Sequence, residues 1–187
     1  MTATDIRDCE ALIDFIRDGG RVKYILFWGH TQKQGGGVGK HCFSQWYEAP
    51  FTIDGTTYPT AEHWMMAEKA RLFGDDDALR RVLAAGNPGA AKAAGRTVRG
   101  FDEQAWTAAR WGIVVRGNQA KFAQNPDLGA YLASTGDRVL VEASPVDRIW
   151  GIGLAEGDPA AENPEQWRGL NLLGFALMEV RARPGDP

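Results

Sequence analysis

The Asn-Pro pairs at Asn87-Pro88 and Asn125-Pro126 constrain this chain more than any other feature. In each pair the asparagine suits an N-cap, and the proline, whose missing N–H costs nothing in a first turn, suits the first helical position. Both pairs therefore read as helix starts. Between them, the stretch from Asp102 to Gln124 reads as one long helix. Thr60 is a good N-cap for "AEHWMMAEKARLFG", and "DDDALRRVLAAG" opens on acids that suit the helix dipole and stops at Gly86. The middle of the chain is thus a run of helices. Ile6, Cys9, Ile13 and Ile16 recur at helical spacing and predict a first helix ending at Gly19-Gly20. "VKYILFWG" and "RVLVEAS" read as strands, "FTIDGTTYPT" as a hairpin about Asp54-Gly55, and "PVDRIWGIG" as a turn into another strand. "AEGDPAAENPEQ" is a polar loop, and "GLNLLGFALMEVRAR" is a final amphipathic helix. The expected architecture is α+β: a mainly helical single domain, 1–187, with a few short strands and no internal repeat.

Composition removes several function classes. The net charge of −3 leaves no global basic footprint for nucleic acid. The two cysteines, Cys9 and Cys42, have no metal-ligand spacing, which fits a reducing compartment. An acidic first segment and the lack of a long apolar run predict a cytoplasmic chain with no membrane partner. Three histidines without a His-Glu-x-x-His arrangement predict no bound metal, and no Gly-x-Ser-x-Gly points to a serine hydrolase. "QGGGVGKH" approaches a phosphate-binding loop, but Gln34 stands where a glycine is needed and His41 where a magnesium-binding hydroxyl is needed. That segment reads as a flexible lid or surface loop, and no cofactor is expected.

Two places carry chemistry. On a helix from residue 61, Glu62, Met66, Lys69 and Phe73 fall within roughly 60° of one another, so a carboxylate and an ammonium share a face with apolar side chains. Their backbones stand about 10 Å apart along the axis, close enough to reach one cavity. The plainer alternative is that Glu62 complements the helix dipole and Lys69 snorkels outward. In "SPVDRIWGIG", a chain break at Ser144-Pro145 is followed by an acid, a base and an indole, Asp147, Arg148 and Trp150. A solvated turn with Trp150 in the core is the alternative there.

Taken together, "FWG" at 27–29, "FSQWYEAPFTIDGTTYPTAEHWMMAEKA" at 43–70, "AKF" at 120–122, "ASPVDRIWGIG" at 143–153 and "NLLGFALMEVR" at 171–181 resemble the NADAR, or YbiA-like, family. The order and spacing match from about residue 24 to 183, leaving the helix within 1–20 outside. Leu172 departs from the aromatic that many relatives carry after the asparagine.

The resemblance implies hydrolysis of a glycosidic C–N bond. Members act on early riboflavin-pathway intermediates, releasing a pyrimidine from ribose 5-phosphate; others remove ADP-ribose from modified guanine in nucleic acid. The implied partners are a nucleotide-like small molecule or an ADP-ribosylated nucleic acid. The resemblance implies catalytic roles for Glu62, Lys69 and Asp147. It implies substrate contacts for Phe27, Trp28, Gly29, Ser44, Trp46, His63, Met66, Arg148, Trp150 and Asn171. The chemistry agrees: breaking an N-glycoside builds positive charge on the sugar, which a carboxylate stabilises, while aromatic faces stack on a heterocycle. Lys69 has two open roles, anchoring a phosphate or hydroxyl, or forming a Schiff base with an opened ribose if desolvated. A non-catalytic ADP-ribose or nucleotide-binding module is the alternative of another class.

Overall fold

The computed structural model describes residues 6–31 and 37–183. In chain order the elements are α1 (Cys9–Arg17), β1 (Tyr24–Phe27), a short 3-10 turn (Lys40–Phe43), β2 (Phe51–Ile53), β3 (Thr56–Tyr58), α2 (Ala61–Leu72), α3 (Asp76–Leu83), α4 (Pro88–Arg96), α5 (Glu103–Gln124), α6 (Pro126–Ser134), β4 (Val139–Glu142), a 3-10 turn (Pro164–Gln166) and α7 (Leu172–Ala182). The fold is α+β and mainly helical. No helix among the described residues is long and apolar enough to cross a membrane. The centre of the glycine-rich segment, 32–36, lies outside the described residues; Lys40, at its end, pairs with Glu156.

The chain forms two compact units. One takes the described residues up to Ser44 and those from Pro126 onward; the other is Gln45–Asn125. In the first, β1 and β4 pair in parallel from Tyr24↔Val139 to Phe27↔Glu142. The opposite edge of β4 is taken by a side chain. Asn171 Oδ1 accepts from the Glu142 N–H at 2.9 Å, and its Nδ2 donates to the Leu140 carbonyl at 2.9 Å. A buried sheet edge needs such partners. Asn171 thus stands in for a third strand, and this corrects the expectation that "PVDRIWGIG" leads into one. The segment after β4 folds back as an irregular loop, with the Ile152 N–H on the Glu142 carbonyl and the Gly153 N–H on the Asp147 carbonyl. The unit's core comprises Phe27, Phe43, Val139, Leu140, Val141, Leu173, Phe175 and Leu177.

The second unit is built around α2. Thr60 caps it as its sequence demands, and α3, α4 and α5 all pack on it. Eight of its residues are buried, from Ala61 through Ala67 and again at Ala70. The expected single apolar face therefore gives way to a helix enclosed on most sides. Trp64, placed on the opposite side by its spacing, is 2% exposed, and its indole N–H donates to the Ile113 carbonyl at 2.7 Å. Close approach is possible because the facing helices carry glycines: a Cβ at Gly117 would overlap the Trp64 indole, and one at Gly95 would overlap Met66. The Asp54-Gly55 hairpin forms as expected, with both residues at positive φ, which the tight turn requires. Asn87 and Asp102 cap α4 and α5, each accepting an N–H three residues on. Asn125 is the C-cap of α5, its Nδ2 donating to the Lys121 and Pro50 carbonyls.

Asp75 ties this bundle together. Its buried carboxylate caps α3 at the Ala78 N–H and accepts from the Arg99 N–H at 2.8 Å and from the Arg99 guanidinium. Hydrogen bonds from Arg99 hold its carboxyl well below the usual carboxylate range. A depressed folded-state pKa stabilises the fold above the unfolded value of about 4 and loses that contribution as pH falls below it. Asp75→Asn should therefore melt several degrees below wild type at neutral pH, and the gap should narrow below about pH 4. Thermal melts of both proteins across pH check this; a gap that is constant with pH would contradict it.

Candidate active site

Glu62 is the second residue of α2. Its carboxyl group lies 2% exposed at a helix start, where the dipole favours negative charge. The Glu62 N–H donates to the Gln45 carbonyl at 2.9 Å. Withdrawing a carboxyl group from water is costly, so its presence in the interior of the helical unit calls for a use. Next to it, His63 is 1% exposed, with Nε2 donating to the Ala85 carbonyl at 3.1 Å and Nδ1 at 2.8 Å from Thr60 Oγ1. Burial lowers its pKa, with the Ala85 carbonyl opposing. Both ring nitrogens are engaged within the chain. His63 therefore braces the start of α2 through both ring nitrogens. Met66 likewise packs against Gly95 as core.

Lys69 lies two turns on. Its ammonium sits 4.2 Å from the centroid of Phe101 and 5.7 Å from that of Trp106. Desolvation there lowers its pKa, with Glu103 opposing and Arg96 reinforcing. Trp46 is half-buried beside the start of α4, with Lys92 Nζ at 5.9 Å from its ring. The sequence reading did not single out Lys121, which is fully buried on α5, with Nζ 5.2 Å from the Phe122 centroid and 5.7 Å from that of Tyr47. A fully buried lysine is rare. The signal lay in the helical spacing: Val114, Gly117, Asn118 and Lys121 all fall on the buried side of α5.

In the first unit the candidates gather where the parallel pair ends. Glu142 closes β4 opposite Phe27, and the Ala143 N–H donates back to the Phe27 carbonyl. Phe27 itself is wholly buried, its ring edge-on to Phe43 at 5.4 Å, so it is core and offers no open face for stacking. Trp28 and Gly29 leave the strand, Trp28 57% exposed and Gly29 at positive φ. Ser44 is half-buried at the end of the Lys40–Phe43 turn. Asp147 acts first on its own loop: Oδ1 accepts from the Ile149 N–H at 2.9 Å and the Trp150 N–H at 2.8 Å. Those bonds fix the backbone that carries half-buried Trp150 and exposed Arg148. Asn171, with both amide ends on β4, is part of the framework at this strand. The outer ends of parallel strands are a common place for ligands.

Within each unit, then, the Glu62 N–H lies on the Gln45 carbonyl, Lys69 lies against Phe101 and Trp106, and Asp147 holds the loop that carries Arg148 and Trp150.

A NADAR domain model matches residues 26–183. The chain belongs to the NADAR family. The mimivirus protein N-glycosidase R617 is 42% identical over 165 residues, covering 85% of this chain and 95% of that relative. N-glycosidase YbiA of Escherichia coli is 30% identical, covering 74% of this chain and 78% of its own. Its solution structure superposes with a TM-score of 0.65 at 26% identity, covering 86% of this chain and 83% of that one. A maize protein named for riboflavin biosynthesis, PYRR, is 36% identical over 67% of this chain and 20% of its own length. Relatives at this level make this NADAR chain an enzyme, a hydrolase acting on N-glycosyl compounds. The binding-module alternative is thereby set aside.

The Asp147 loop has no room to relax. A Cβ at Gly151 would lie 2.7 Å from the Glu142 carbonyl oxygen and 3.1 Å from that of Asp147. Backbone cannot yield as a side-chain tip can, so Gly151→Ala should destabilise the chain by roughly 1–3 kcal/mol. Urea unfolding measures this; an unchanged midpoint would show that the loop is not held as described.

Proposed function

We propose that this chain hydrolyses the C–N bond of a phosphoribosylated pyrimidine, as in early riboflavin-pathway intermediates, releasing the base and ribose 5-phosphate. The observation that carries the reading is the Glu62 carboxyl group, buried at the start of α2. N-glycoside cleavage develops positive charge at C1 and the ring oxygen of ribose. A carboxylate in a low-dielectric setting stabilises that charge far more than one in water. As the C–N bond breaks, its electron pair leaves with the base nitrogen. A water oxygen bonds C1 and gives a proton to the carboxylate, which passes it to the departing base nitrogen and is restored. The kinship with a maize protein named for riboflavin biosynthesis favours this substrate class.

Lys69 has two roles to separate. Desolvation lowers its pKa and so raises the share of neutral amine, which could attack the C1 of an opened ribose, with water leaving as the Schiff base forms. As an ammonium it would instead anchor a phosphate. Trp46, half-buried in the same compact unit as Glu62, is the candidate for stacking on the base. Removal of ADP-ribose from guanine is the second substrate reading, because it breaks the same kind of bond; it would need an exposed or flipped base.

Glu62→Gln retains size and deletes the charge. It should lower kcat on the order of 100-fold or more, the range for a positioned acid or base, with KM little changed. Steady-state kinetics on a ribosylaminopyrimidine 5-phosphate test this. Turnover within a few-fold of wild type would make Glu62 a purely structural carboxyl.

A further inference from the structure

Two buried amides meet in the second unit. Asn118 is fully buried and Gln45 is 6% exposed. Asn118 Nδ2 donates to the Val114 carbonyl at 2.9 Å and to Gln45 Oε1 at 3.0 Å. A backbone carbonyl only accepts, so the first bond fixes which end of the Asn118 amide is nitrogen, and the second then fixes Gln45. The remaining ends, Asn118 Oδ1 and Gln45 Nε2, are buried without a hydrogen-bond partner among the described residues. Unpartnered buried polar ends are destabilising, and two apolar side chains of similar volume would avoid both. Stability alone does not account for the pair.

The main chain of Gln45 points to its use. Its carbonyl accepts the Glu62 N–H, one of the first-turn donors of α2 that has no acceptor within the helix. Thr60 Oγ1 serves the neighbouring His63 N–H. Hydrogen bonds therefore link the α5 backbone at Val114 to Asn118 and Asn118 to the Gln45 side chain, and the main-chain carbonyl of that same Gln45 holds the N–H of residue 62.

We propose that Asn118 and Gln45 are positioning residues that hold the Glu62 carboxyl in its reactive orientation. This rests on the reading of Glu62 as the reacting carboxyl. Asn118→Leu and Gln45→Met keep approximate volume and remove the bond between the amides. Without any substrate, amide hydrogen exchange at Glu62 should quicken on the order of 10-fold in both variants, while the rest of α2 exchanges as in wild type. With a ribosylaminopyrimidine 5-phosphate as the probe, kcat per folded molecule should fall on the order of 10-fold or more, with KM within about 2-fold. The double variant should lose no more than the worse single variant, because both act through one series of bonds. Unchanged exchange at Glu62 overturns the tether whether or not the probe is turned over. Faster exchange with wild-type kcat, or single losses that multiply in the double variant, overturns the catalytic role. No turnover by the wild-type chain defeats the functional reading and the catalytic role with it, while the exchange result still decides the tether.

Discussion

The enclosure of α2 is the constraint on which the helical unit depends. A helix surrounded by three others has almost no solvated face, so each side chain on it must be accommodated by what lies opposite. Gly117 and Gly95 make room for Trp64 and Met66. His63 has both nitrogens engaged, and the first-turn amides of Glu62 and His63 are met by Gln45 and Thr60. The Glu62 carboxyl group sits inside this arrangement at the helix end where the dipole favours it. What fixes the helix also fixes the main chain of the residue that carries this acid.

The first unit solves a different problem with similar means. Two parallel strands of four residues leave an edge of β4 open, and the Asn171 amide meets its Leu140 carbonyl and Glu142 N–H. The same residue starts α7 at positive φ, a conformation that asparagine tolerates better than most. Asp147 then organises the loop beyond β4 through its own backbone. The result is a rigid mount for Trp150 and Arg148. A candidate acid that works on its own loop is a positioning group before it is anything else.

Local chemistry was legible in the sequence and long-range pairing was not. Thr60 and Asn87 cap helices because a short polar side chain before a helical run has one nearby use. Asp54-Gly55 makes its hairpin for the same reason. The strand expected after Trp150 failed because its place on β4 is filled by a side chain 29 residues away from the strand, which periodicity does not reveal. Glu62 stood out as a charge among apolar neighbours, yet the reading of α2 as one-faced missed that Trp64 is also core. Lys121 escaped notice because a lysine near a helix end is usually a solvated one. The Gln45–Asn118 pair joins residues 73 apart and depends on which way each amide faces. The family, by contrast, was readable from several blocks in fixed order, and the matched span of 26–183 agrees with them.

The account turns on the breaking of a C–N glycosidic bond, and product analysis tests that most directly. The chain should be incubated side by side with a ribosylaminopyrimidine 5-phosphate and with DNA carrying ADP-ribosylated guanine, and the products separated by chromatography. The account predicts free pyrimidine and ribose 5-phosphate in equal amounts from the first, faster than any release from the second. Intact substrate in both reactions, from a folded and monodisperse preparation, would contradict it.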